Sequence, residues 1–110
     1  MAHLPGPDPE DDWYAELFRH GTLSVLIYAP RGSDPQTPHT QDELYVVAKG
    51  RGIAVVGNER KAVDVHDVIF VPAGVEHRFE EFTDDFAVWV FFYGQRGGEN
   101  ADASGPPLWR

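Results

Sequence analysis

His39-Thr40-Gln41-Asp42-Glu43-Leu44-Tyr45-Val46-Val47 is the stretch on which the reading of this chain turns. In an unbroken strand, Thr37, His39, Gln41, Glu43 and Tyr45 share one face, because side chains alternate with a period of two. Val47 continues that face into plainly apolar sequence, which marks it as the interior. Pro35, Pro38 and Asp42 predict an irregular start, so the alternation is firm only from about Glu43 onward. An ionised glutamate turned into an apolar interior costs several kcal/mol unless a cation or hydrogen bonds meet it. Either an arginine, Arg51 or Arg78, or a metal ion meets that requirement.

A second stretch supplies what a metal needs. Pro72-Ala73-Gly74-Val75-Glu76-His77 places another histidine just after a turn, with Gly50 closing the first strand. Two imidazoles and one carboxylate are ligands for a divalent ion such as Fe, Mn, Ni, Co or Zn. Each residue alone has a plainer reading: the glutamate as an ion-pair partner, the histidine after Pro-x-Gly as a turn or core residue. Their joint occurrence at these spacings raises the metal reading.

The rest of the sequence sets limits. With 110 residues and 42% apolar content, the chain is of a size to close one hydrophobic core. It has no cysteine, so disulfides, thiolate ligands and cysteine nucleophiles are excluded. The net charge of −9 with nine scattered basic residues argues against nucleic acid or an anionic membrane as partner. No apolar run approaches the ~20 residues of a membrane span, and residues 1–12 are proline-rich and acidic where a signal peptide needs an apolar core. The expectation is a cytoplasmic protein. There is no glycine-rich phosphate loop before a helix and no serine in a nucleophile elbow.

Turn signals recur roughly every eight to twelve residues, with no long amphipathic helix, the pattern of an antiparallel barrel or sandwich. Strands are predicted over 23–29, 43–48, 53–56, 61–65, 68–71 and 86–93, with Gly57-Asn58 as a tight hairpin turn. Residues 1–12 read as a flexible acidic arm, 13–93 as the folded barrel and 94–110 as a loose tail. The strand 86–93 is apolar on both faces: Phe86, Val88, Val90 and Phe92 on one, Ala87, Trp89, Phe91 and Tyr93 on the other. Its outer face therefore needs cover, either from Trp13, Leu17 and Phe18 or from a second copy in a homodimer.

With these residues in place, the chain resembles the cupin superfamily. The first cupin motif reads G-x(5)-H-x-H-x(3,4)-E-x(6)-G and the second G-x(5)-P-x-G-x(2)-H-x(3)-N. The sequence offers Thr37, His39, Glu43 and Gly50 for the one, and Pro72, Gly74 and His77 for the other. The resemblance runs from about Leu23 to Phe92. It implies an all-β double-stranded β-helix, the cupin jelly-roll barrel, with a divalent transition metal on His39, Glu43 and His77. The departures are Thr37 at the first histidine ligand, His66 at the motif glycine and Glu81 at the closing asparagine. Two histidines and one glutamate match the ligand count of the facial triad of non-haem iron oxygenases. His66 is read as a turn residue remote from the site.

Around that core, Thr37 is a candidate to orient a metal-bound water and Gln41 a weak auxiliary donor. Tyr45 is either a barrel-wall aromatic or a phenol acting as acid or base, as in cupin-type lyases with a similar Glu-x-Tyr. Phe70, Phe79 and Trp89 are candidates to line a substrate pocket, with Arg78 anchoring an anionic ligand. Two functions are expected from the resemblance. One is a metal-dependent dioxygenase, isomerase or lyase acting on a small molecule. The other is a non-catalytic module binding a sugar or metabolite at a degraded metal site. The fold alone hosts both.

Overall fold

A computed structural model describes residues 13–31, 34 and 38–98. The acidic arm, most of the C-terminal segment with Trp109, and Thr37 lie outside the described residues. Eight strands and no helix are found within them: β1 (Trp13–His20), β2 (Leu23–Ala29), β3 (Asp42–Lys49), β4 (Gly52–Val56), β5 (Glu59–Val63), β6 (Val68–Val71), β7 (His77–Glu80) and β8 (Ala87–Tyr93). Every pairing is antiparallel, giving a five-stranded sheet in the order β1-β2-β8-β3-β6 and a three-stranded sheet in the order β5-β4-β7. The two form a jelly roll, the double-stranded β-helix that the cupin resemblance implies, and the antiparallel strands are those that the turn spacing predicts.

The core lies between the sheets. Leu26, Tyr28, Tyr45, Val47, Ile69, Val71, Val88 and Val90 come from the larger sheet, and Ala54, Val56, Val63 and Phe79 from the smaller. Phe79 joins the two layers, edge-on to Tyr45 and Phe86 with ring centroids 5.0 Å away in each case. Such packing contributes on the order of 1 kcal/mol per aromatic pair beyond area burial.

Turn chemistry matches the motif positions. Gly57 alone takes positive φ in the β4–β5 hairpin, as a type II′ turn requires. Gly50 has φ 73°, and a Cβ there would collide with the Thr83 hydroxyl and come within 3.0 Å of Phe86 Cα. His66 (φ 75°) and Glu81 (φ 48°) are the non-glycine residues with positive φ among those described. These are the two positions where the sequence departs from the motif glycine and asparagine, both of which tolerate this backbone.

Two strands escaped the sequence reading. β7 is four residues long and is defined by its pairing with β4. β1 carries Glu16 and Arg19 amid aromatics, and exists because it pairs with β2, with a bulge between Glu16 and Phe18. The expectation that Leu17 and Phe18 would cover the long strand is corrected by this pairing, and the Trp13 side chain lies outside the described residues. The segment extends the same sheet in plane, and Phe18 and Tyr14 stay 54% and 65% exposed. Residues 94–98, expected to be loose, are tied to the barrel. Gly94 N–H donates to Thr22 Oγ1 (3.1 Å) and Gly97 N–H to the Thr40 carbonyl (2.7 Å).

Candidate metal centre

Three separate elements bring the candidate ligands together. Glu43 lies on the inner face of β3, between Val71 of β6 and Phe92 of β8. His77 opens β7 in the other sheet, opposite Val56. His39 sits in the loop before β3, where its carbonyl accepts from Gly74 N–H at 2.8 Å. That bond ties the His39 loop to the Pro-x-Gly turn leading into His77. The ligand atoms of His39, Glu43 and His77 all lie within 4.8 Å of one another. Glu43 Oε1 stands 3.1 Å from His77 Nε2 and 3.9 Å from His39 Nε2. Atoms held about 2.1 Å from one ion lie roughly 3.0–4.2 Å apart, so the cluster fits a single ion with little movement.

The chemistry of these atoms is more telling than their spacing. Glu43 is 1% exposed, and no arginine reaches it among the described residues. Arg78, one of its expected partners, donates instead to Glu80 Oε2 at 2.5 Å, outside the barrel. Both Glu43 oxygens, His39 Nε2 and His77 Nε2 are buried with no hydrogen-bond partner among the described residues outside the cluster, whose one close contact is the 3.1 Å between Glu43 Oε1 and His77 Nε2. Native proteins satisfy nearly all such groups, and each one left bare costs about 1–3 kcal/mol or more. Four orphaned atoms facing one point are what an ion would satisfy at once.

His77 is prepared for that role. Its Nδ1 lies 3.0 Å from the Val75 carbonyl, and a carbonyl can only accept, so Nδ1 carries the hydrogen. In the neutral ring, Nε2 then directs a lone pair at the cluster, the arrangement that commonly orients a metal-ligating histidine. Burial works to lower the pKa of His77, but the Glu43 carboxylate and the Val75 carbonyl outweigh it, and the pKa is raised. At His39, burial dominates over the pull of Glu43, and the pKa is lowered. The His39 ring packs edge-on against Phe92, centroids 4.8 Å apart.

The remaining predicted residues divide by strand face. Tyr45 and Phe79 lie on the inner side; the Tyr45 ring centroid is 6.0 Å from that of His77. Phe70 and Trp89, expected to line a pocket, are on the opposite side. Phe70 is paired with Leu44, and Trp89 with Val46 and Ile27, all alternating with buried neighbours. The register therefore removes both from the interior. Arg78 alternates outward between His77 and Phe79 in the same way. Gln41 does not turn its amide to the cluster: Nε2 donates to the Thr22 and Gly94 carbonyls at 3.0 and 2.9 Å.

One residue beside the site was missed. Asp34 is buried and joins the two sheets, accepting from Tyr28 O–H at 2.6 Å and from Phe79 N–H at 2.8 Å. A lone aspartate in a Gly/Pro-rich loop gives no sequence signal for this clamp.

The family profile of the cupin domain matches residues 24–93. This chain belongs to the cupin family. An uncharacterized protein of Streptomyces coelicolor is 40% identical over 84 residues, covering 74% of this chain and 80% of that one. Among solved structures, the plu4264 protein of Photorhabdus luminescens superposes with a TM-score of 0.71 at 18% identity, over 86% of this chain and 88% of that one. A DMSP lyase of Ruegeria pomeroyi gives 0.68 at 18% identity, over 76% of this chain and 47% of the lyase. At these identities the structural likeness shows the fold alone. The cupin therefore carries a His-His-Glu group able to hold a metal ion, and no helix among the described residues is long and apolar enough to cross a membrane.

Proposed function

We propose that this cupin holds one divalent transition ion between His39, Glu43 and His77 and acts there on a small-molecule metabolite. The observation that carries the reading is the set of four buried, unpartnered ligand atoms converging from both sheets and one loop. When bound, such an ion would supply Lewis-acid polarisation of a substrate oxygen, the chemistry of isomerase and lyase sites, and a redox-active ion such as iron would supply the dioxygen chemistry of a dioxygenase. Glu43 contributes the negative charge that offsets the cation. The Val75 carbonyl fixes the His77 tautomer, and Phe92 holds the His39 ring from one side. Tyr45, buried two residues from Glu43 on the same face, is the phenol we assign to proton transfer. Tyr45→Phe should then keep the metal and lose turnover.

Metal analysis of protein purified without chelator or affinity tag tests the central claim. About one ion per chain is expected. Less than a tenth of an ion after incubation with Fe, Mn, Co, Ni and Zn in turn would sink it. The second reading, a binding module with a degraded site, rests on Thr37 replacing the first histidine. The two readings separate on whether the metal-loaded protein turns anything over.

We further propose a homodimer through the outer face of the five-stranded sheet. Two apolar rows cross that face, Ala15-Ile27-Trp89-Val46-Val68 and Phe18-Val25-Phe91-Leu44-Phe70. Sedimentation of the intact chain tests this directly.

A further inference from the structure

A second feature opens beside the candidate ligands. An open surface groove of about 420 Å³ is lined by Pro38, His39, Thr40, Ala73, Gly74, Arg96 and Gly97. That volume falls in the range of small-molecule sites. Its surface is almost wholly apolar, and His39 and Arg96 are the residues in its lining that carry ionisable side chains. The His39 side chain is 34% exposed while its Nε2 is buried toward Glu43, so one imidazole forms the wall between groove and cluster.

Arg19 pairs with Glu16, Arg60 with Glu80 and Glu81, and Arg78 with Glu80, whereas Arg96 is exposed and, like the Arg51 side chain, pairs with no described residue. The backbone under Arg96 is nonetheless pinned. Gly97 N–H donates to the Thr40 carbonyl at 2.7 Å and Gly98 N–H to the Gln95 carbonyl at 3.1 Å. Gly97 and Gly98 have φ of 89° and 88°, and a Cβ on Gly98 would come within 2.7 Å of Asp42 Oδ1. The opposite wall is held to the same loop. Gly74 N–H bonds to the His39 carbonyl and Ala73 N–H to Asp42 Oδ1, at 2.8 and 2.9 Å. Both walls are thus preformed around His39.

We infer that this groove binds a small organic acid, its carboxylate on the Arg96 guanidinium and its apolar body against Pro38, Ala73 and Gly74. The inference rests on the metal reading insofar as it makes the groove the substrate site of that centre. An unpaired guanidinium presents parallel donors that match a carboxylate. The apolar remainder of the wall selects an organic anion over an inorganic one. This moves the anionic anchor from Arg78, which the register turns outward, to a residue that the sequence placed in a loose tail.

Ligand-observed NMR on the full-length chain, metal-loaded and metal-free, tests the inference. The probes are benzoate, 3-methylbutanoate and 2-oxobutanoate, each against its primary amide. At least one acid should bind at millimolar concentration, its amide about tenfold or more weaker. Arg96→Gln should weaken the acid by a similar factor while metal content and melting temperature stay unchanged. Equal binding of acids and amides, no binding of any acid, or no effect of Arg96→Gln overturns the proposal. Arg96-dependent binding to a chain that takes up no metal upholds the groove and removes the metal reading alone. Normal metal content with no acid bound does the reverse.

Discussion

The two faces of the five-stranded sheet each break the usual arrangement, the inner one at a single residue. Along β3, Glu43 points inward and is fully buried, while its neighbours Leu44 and Val46 point outward and are half-buried. A sheet of one isolated protein would do the opposite, since charge belongs in water and apolar area leaves it. Each face is thus incomplete in its own way. The inner one lacks a positive charge for a carboxylate and two lone pairs, and the outer one lacks apolar cover. The lesson is that strand alternation identifies a functional site most clearly where it violates hydrophobic patterning.

The inner face can be broken at one residue. With a hundredfold excess of metal over its dissociation constant, the wild-type chain should gain about 2.7 kcal/mol of stability. Glu43→Gln should gain none, while its metal-free form is no less stable than wild type, because a buried and poorly compensated carboxylate has been removed. Chemical denaturation with and without metal measures both. A variant that unfolds under either condition would make Glu43 a structural group and end the metal reading.

On the outer face, Phe91→Arg places a charge in the middle of the apolar rows. A dimer should weaken by about 2 kcal/mol, roughly thirtyfold, with metal content unchanged. If the wild-type chain sediments as a monomer at roughly tens of micromolar, above the Kd of any stable dimer, this face has no self-partner.

The histidines sharpen the contrast through pH. In the metal-free chain, the raised pKa of His77 contributes stability that is complete below about pH 6.5 and is lost as pH rises through the folded value. The lowered pKa of His39 acts the other way: its contribution is present above about pH 6.5 and is lost as pH falls through the folded value. Metal needs both rings unprotonated at Nε2, so its affinity should fall about tenfold or more between pH 7.5 and 5.5. Calorimetric titration across that range checks the sign. An affinity that is flat or rises on acidification would show that the imidazoles are not ligands.

The smallest effect concerns a site remote from both faces. His66 adopts φ 75° in an exposed turn, a conformation that costs a side chain roughly 1–2 kcal/mol and glycine almost nothing. After the extra chain entropy of glycine is counted, His66→Gly should raise stability by about 0.5–1 kcal/mol. Metal uptake and sedimentation should not change. A destabilised variant would assign His66 a packing or hydrogen-bonding role.

What the sequence determined by itself was local and periodic. Turn residues require particular φ values, so Gly50, Gly57 and Gly74 marked strand ends that carry positive φ. Alternation from Glu43 to Val47 identified a buried carboxylate, and the spacing of His39, Glu43 and His77 identified residues that meet. Tertiary structure decided whatever depends on long-range register. β8 is apolar on both faces, and only its pairing of Val90 with Tyr45 and of Trp89 with Val46 selected the inner set and turned Trp89 out. β1 and the short β7 carry little pattern of their own and exist through their partners β2 and β4. Arg96 stood in a glycine-rich stretch whose order comes from hydrogen bonds to residues more than fifty positions earlier. Periodicity fixes which side chains share a face, but the pairing between distant strands fixes which way that face turns and what stands against it.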